Sequence, residues 1–69
     1  MTPEQEQECR EEAERLAELP RDVQRQAVAL IRAPADNPKV GKGDREDARE
    51  RADALERHLR RLNRRKKNA

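Results

Sequence analysis

Apolar residues recur at helical spacing in three stretches of the 69-residue chain. Their repeats of three and four positions predict helices over about 3–18, 20–33 and 44–66. Between the last two, residues 34–43 hold two prolines and two glycines, which predicts a loop. No stretch alternates with the period of a strand. The pattern therefore predicts an all-α fold, either a short helical hairpin or a three-helix arrangement, in a single domain over residues 1–69.

Local signals mark where these helices begin and end. Thr2 and Gln5 form a T-x-x-Q capping box with Pro3 at the first helical position. Asp44 is the predicted N-cap of the third helix. Pro20 lacks a backbone N–H, which predicts a break between the first two helices. Because the apolar stripe keeps its phase across this proline, one kinked helix is the alternative to two separate helices.

The predicted core follows the apolar faces of these helices. The second helix has the widest apolar face, which predicts that it is the most buried part of the chain. In the third, Ala48 and Ala52 begin a heptad-like seam that continues in leucines. The residues expected in the core or in an oligomer interface are Leu16, Val23, Ala27, Leu30, Ile31, Leu55, Leu59 and Leu62.

Composition limits how large this core can be. Six leucines, three valines and one isoleucine are the large aliphatic residues, and the chain has no aromatic residue. Chains of this size usually need a disulfide, a metal or a partner for stability. One cysteine closes no internal disulfide, and one cysteine with one histidine builds no structural zinc site. Self-association is therefore expected, with a homodimer favoured as the way to complete a helical bundle.

Charge is distributed unevenly along the chain, although the net charge is only +2. Residues 1–18 carry seven acidic and two basic side chains, whereas residues 57–69 carry seven basic side chains and no acidic one. In an antiparallel hairpin these two stretches would meet at the same end of the molecule. Heptad phase nevertheless places most of the acids and five of the bases on outer positions, so the bases are expected to stay free.

The basic stretch has three interpretations: a nucleic-acid contact, a contact for an acidic protein, or a solvated helix end. Residues 64–69 are predicted to fray as a basic tail. Asn63 is the amide best suited to contact a base edge. The absence of aromatic side chains disfavours base stacking. The candidate contacts are Arg57, Arg60, Arg61, Arg64, Arg65, Lys66 and Lys67.

Weaker signals lie elsewhere in the chain. Residues 14–32 can be drawn as a helix-turn-helix with Arg21, Gln24, Arg25 and Arg32 as readers. The junction between its helices lacks the usual glycine turn, and its second helix has the widest apolar face, which disfavours this interpretation.

Two isolated side chains are assigned structural roles. Cys9 lies on the apolar stripe and is expected to be a small core residue, with an intersubunit disulfide as the alternative. His58 flanks the leucine seam without other ligands at metal spacing, which predicts a solvated or packing role.

Several functional classes are disfavoured by composition. The chain has one threonine, one histidine and one cysteine, and it has neither serine nor tyrosine, so no matched set for catalysis is evident. We expect no enzyme, cofactor, metal site or small-molecule substrate. The lack of a long apolar run predicts no membrane span, and we expect no membrane partner. An acidic start and a single thiol predict a cytoplasmic protein.

The expected function is therefore binding. The first hypothesis is a small regulatory protein that acts through protein–protein interaction and self-association. The alternative is the same scaffold binding RNA or the backbone of duplex DNA through its basic C-terminal helix. A third hypothesis is an inhibitor or adaptor that docks an apolar helix face into a larger protein and needs no basic residues.

Overall fold

The computed structural model describes residues 2–68, with side chains described for residues 2–65. Three α-helices lie in this range: α1 (Pro3–Leu16), α2 (Arg21–Arg32) and α3 (Lys42–Asn68). A 3-10 turn (Ala33–Asp36) follows α2 directly. No strand occurs among residues 2–68, and the predicted all-α class is confirmed.

The beginning of α1 has the predicted capping box. Gln5 N–H donates to Thr2 Oγ1 at 3.3 Å, and Thr2 N–H donates to Gln5 Oε1 at 3.1 Å. α1 ends at Leu16, two residues earlier than predicted, and a turn leads to Pro20. Because α2 begins only at Arg21, the chain has two separate helices here and no kinked helix.

The start of α3 differs from the prediction. The helix begins at Lys42, because the Gly41 carbonyl accepts the N–H of Arg45 at 2.9 Å and so forms the first helical hydrogen bond. Asp44, the predicted N-cap, lies inside the first turn instead. Its carboxylate still lies near the positive end of the helix dipole, where an acidic residue is favourable.

Two segments predicted to be irregular contain more helix than expected. The loop predicted over 34–43 is shortened by the 3-10 turn, which reaches Asp36 and packs on both α2 and α3. The tail predicted to fray over 64–69 is occupied by α3 as far as Asn68. Ala69 lies outside the described residues.

α3 is the central helix, and α1 runs parallel to it. Near the start of α1, Glu8 forms an ion pair with Arg51 of α3 at 3.7 Å. Just past the end of α1, Ala17 lines the same surface hollow as Asn63. Residue numbers therefore increase in the same direction along α1 and along α3. This direction differs from the antiparallel hairpin considered for the acidic and basic stretches.

α2 runs antiparallel to α3. Gln24, in its first half, pairs with Asn63, and Arg32, at its end, pairs with Asp53. α1 and α2 each pack on α3 much more than on each other. The molecule is accordingly flattened, with Cα extents of 43 × 26 × 14 Å.

A small core forms where the three helices meet. Leu55 and Leu59 of α3 are buried, and Leu55 is only 1% exposed. Alanines from α1 and α3 allow the backbones to approach closely around these leucines. The buried cluster is Ala13, Ala17, Val28, Ala52, Leu55 and Leu59, with Leu16, Ile31 and Leu62 partly buried against it.

Candidate interaction surfaces

One side of α2 presents apolar side chains to solvent. Leu30 is 75% exposed and Val23 is 39% exposed, and Ala27 between them is half-buried. We call Val23, Ala27 and Leu30 the apolar strip. The expectation that α2 is the most buried segment is wrong. Because α2 packs mainly on α3, its wide apolar face is covered only along the side of Val28.

The basic end of α3 forms a second exposed surface. Arg57, Arg60, Arg61, Arg64 and Arg65 are all exposed. Within residues 2–65, no ion pair involves any of them. The side chains of Lys66 and Lys67 lie outside the described range.

The parallel packing of α1 and α3 places most of these arginines away from the acidic start of α1. Arg57 is the exception, because it lines one surface hollow with Glu6, Glu50 and Asp53. Glu8 reaches Arg51, well before the basic end of α3. The Glu8 side chain is 69% exposed despite this ion pair, which agrees with the outer positions that heptad phase predicts for most of these acids. The acidic start and the basic end therefore lie toward opposite ends of the molecule.

A buried amide connects α2 to both neighbouring elements. Gln24 is 5% exposed, and its Nε2 donates to the Leu19 carbonyl at 3.0 Å. Asn63 Nδ2 donates to Gln24 Oε1, also at 3.0 Å. Sequence reasoning did not place Gln24 in the core, although its spacing of four and seven from Val28 and Ile31 puts it on the buried face. The amide of Asn63 is thus engaged inside the protein and is not a free base reader.

A surface groove of about 560 Å³ lies between α2 and α3. Its lining combines apolar side chains, the Gln24–Asn63 pair and side chains of both charges. The lining residues are Arg21, Gln24, Arg25, Val28, Ala29, Arg32, Asp36, Glu56, Leu59, Arg60 and Asn63. The structure therefore brings Arg21 and Arg25, considered only as helix-turn-helix readers, beside Arg60 of the basic end.

The two ends of this groove differ in charge pairing. At one end, Arg32 forms ion pairs with Asp53 at 2.9 Å and with Glu56 at 3.3 Å. At the other end, there is no ion pair within residues 2–65 to Arg21, Arg25 or Arg60. The helix-turn-helix interpretation fails because Gln24 is buried and Arg32 is engaged in the fold.

Cys9 is buried between α1 and α3, and burial raises the pKa of its thiol. Arg51 acts in the opposite direction and lowers that pKa, while Glu12, Glu8 and Glu6 raise it further. His58 is half-exposed. Within the described residues, no group of three or more potential ligands is placed to hold a metal ion. None of the helices described here combines the length and apolarity needed to cross a membrane.

No protein-family model, curated protein or solved structure matches the chain.

Proposed function

We propose that the protein is a non-catalytic helical binding protein that associates with a second copy of itself through the apolar strip. The observation that supports this function is the 75% exposure of Leu30 on the same side of α2 as Val23. Spacings of four and three positions are those of a helix–helix seam. Packing these side chains against a second copy of the protein would remove apolar surface from water, which favours association.

Charge complementarity supports an antiparallel pairing of the two copies. Such a pairing places Val23 opposite Leu30 of the partner, with Ala27 near the two-fold axis. The start of α2 lies beside Asn63, at the basic end, and its other end lies beside Asp53. An antiparallel partner therefore brings its acidic α1 start toward the basic end of the first copy.

Analytical ultracentrifugation over a range of micromolar concentrations tests the association. Wild-type protein is expected to form a dimer whose melting temperature rises with concentration. Leu30→Glu is expected to sediment as a monomer, because the variant places a charge in the proposed seam. The matched control is Ala29→Glu, which adds the same charge at an exposed neighbouring position on another side of α2. A wild-type monomer, or a Leu30→Glu variant that still dimerises, would contradict the proposal.

A second candidate function is binding to the backbone of RNA or duplex DNA. It is supported by the exposure of Arg60, Arg61 and Arg64 and by the lack of ion pairs to them within residues 2–65. Arginines that neutralise phosphates release counterions, so the affinity falls steeply as salt rises, with a slope near −0.9 per duplex-DNA phosphate contacted.

This second function is tested with one triple variant. Replacing Arg60, Arg61 and Arg64 with Gln is expected to flatten the log–log salt slope by roughly two to three units. Glutamine is a fair helix former, so the helix content should not change. If the wild type binds neither duplex DNA nor structured RNA at low salt, an acidic protein partner becomes the better explanation of the basic end.

A further inference from the structure

We infer that the groove between α2 and α3 binds the phosphodiester backbone of a nucleic acid, with Arg21 and Arg25 acting together with Arg60 and Arg64. This inference rests on the second candidate function and extends it. It adds two arginines from α2, so that the exposed basic end of α3 becomes one side of a two-sided site.

The contact between Gln24 and Asn63 fixes the geometry of this site. Arg21 and Arg25 lie three positions before and one position after Gln24, and Arg60 and Arg64 have the same offsets from Asn63. A two-fold axis perpendicular to both helices relates two antiparallel helices that are in contact. Residues at the same offset from the two contacting residues therefore lie on the same face of the helix pair. The lining of the groove by Arg21, Arg25 and Arg60 agrees with this placement.

The spacing of these arginines suits an extended anion. A rise of 1.5 Å per residue separates the α-carbons of Arg21 and Arg25 by about 6 Å along α2, and the same spacing holds for Arg60 and Arg64 along α3. Guanidinium groups bind phosphate oxygens in a bidentate manner. Four of them in two rows can therefore hold successive phosphates from both sides.

The acidic lining does not neutralise this end of the groove. Glu56 is engaged with Arg32 at 3.3 Å. Asp36 belongs to the 3-10 turn, which follows the end of α2 and is therefore remote from Arg21 at its start. Glu18 lines an adjoining hollow with Arg21 but forms no ion pair with it within residues 2–65. The positive charge near the Gln24–Asn63 pair is therefore not offset by an ion pair.

The other residues that line the groove indicate that the site does not recognise individual bases. The floor contains Val28, Ala29 and Leu59, and no aromatic side chain is available in the chain to stack on a base. Both amides at the centre of the site are already paired inside the protein. Contacts that would identify a base are thus missing, and the site is expected to bind the backbone without sequence preference.

Fluorescence anisotropy with duplex DNA and duplex RNA of equal length tests the inference. The variant Arg21→Gln/Arg25→Gln is compared with Arg10→Gln/Arg15→Gln, which removes the same charge from exposed positions of α1. At 50 mM salt, the α2 variant is expected to lose roughly tenfold in affinity for at least one duplex, and its salt slope on DNA should fall by about 1.8. The α1 control should stay within about twofold of wild type, since neither of its two arginines lines the groove.

Two further measurements separate the possible failures. Arg21→Lys/Arg25→Lys keeps the charge and should retain most of the salt slope, whereas a variant that merely perturbs the fold would not be rescued. The α2 variant could match the α1 control on both duplexes while the Arg60, Arg61 and Arg64 triple variant loses binding. That result would exclude the groove as the binding site and leave the basic end of α3 as the nucleic-acid contact. If wild-type protein binds neither duplex, the groove and the second candidate function are both excluded.

Discussion

The side-chain amide of Asn63 donates a 3.0 Å hydrogen bond to Gln24 Oε1, joining two helices across 39 positions of the sequence. Because Gln24 also donates to the Leu19 carbonyl, one side chain connects α2, α3 and the turn after α1. An amide that is only 5% exposed needs such partners, since an unsatisfied polar group in the interior is costly.

Removal of Asn63 should therefore destabilise the fold. Asn63→Ala leaves Gln24 Oε1 without its donor, and we expect a loss of about 1–3 kcal/mol in the free energy of unfolding. Urea denaturation followed by far-UV circular dichroism measures this loss, because the chain has no aromatic side chain for fluorescence. Gln26→Ala, at an exposed position of α2, is the control. Equal stabilities for the two variants would show that the buried amide pair contributes nothing.

Two leucines should differ sharply in their contribution to stability. Leu59 is buried in the core cluster, so Leu59→Ala is expected to cost about 2–4 kcal/mol through lost burial and a cavity. Leu30 is 75% exposed, and Leu30→Ala should change the stability of the monomer by less than about 0.5 kcal/mol. Denaturation at concentrations below the association range isolates this comparison. The core assignment is wrong if Leu59→Ala keeps the wild-type midpoint.

Stability should decline at alkaline pH through Cys9. Burial raises the pKa of this thiol above the ordinary value of 9.0, so the folded state holds the proton more tightly than the unfolded state. The contribution of the thiol is fully present below pH 9.0 and is lost as the pH rises toward the folded-state pKa. We expect Cys9→Ala to show a smaller loss of stability above that pH in urea titrations.

The same environment predicts slow thiol chemistry. At neutral pH, a disulfide reagent should modify Cys9 more slowly in native protein than in the urea-unfolded chain, because the thiolate is the reactive form and the thiol is buried. Equal rates in the two states would mean that Cys9 is accessible in solution.

The ion pairs of Arg32 should add little stability. Its side chain is 37% exposed, and partly solvated ion pairs of this kind typically contribute less than about 1 kcal/mol. Arg32→Gln is therefore expected to cost much less than Leu59→Ala, and the difference from wild type should shrink in high salt. Urea denaturation at two salt concentrations measures both effects, with Arg49→Gln as an exposed control. A salt-independent cost as large as that of Leu59→Ala would be inconsistent with this assignment.

Short-range features of this fold were predictable from the sequence. The Thr2–Gln5 capping box and the break at Pro20 depend on a few neighbouring residues, and both occur as expected. The start of α3 differs from the prediction because Asp44 satisfies the N-cap rule, although it lies two residues after Lys42, the first residue of the helix. Local rules identify a helix start more reliably than its exact residue.

Long-range features were not predictable from periodicity alone. A wide apolar face on α2 indicates that many of its residues favour burial, but it does not say how many neighbours are present to cover them. Leu30 is exposed because α2 packs mainly on α3, and that arrangement depends on all three helices. Arg21, Arg25 and Arg60 likewise share one groove only because α2 and α3 run antiparallel with Gln24 beside Asn63.

The parallel course of α1 and α3 also gives the molecule an electrical direction. With acidic residues concentrated at the start of α1 and basic ones at the end of α3, the protein carries a dipole moment along its 43 Å axis. A nearby polyanion exerts a torque on such a dipole before any contact forms, and this torque turns the basic end inward and the acidic end away. The protein thus approaches a negatively charged surface in one preferred orientation, over a distance set by the ionic strength.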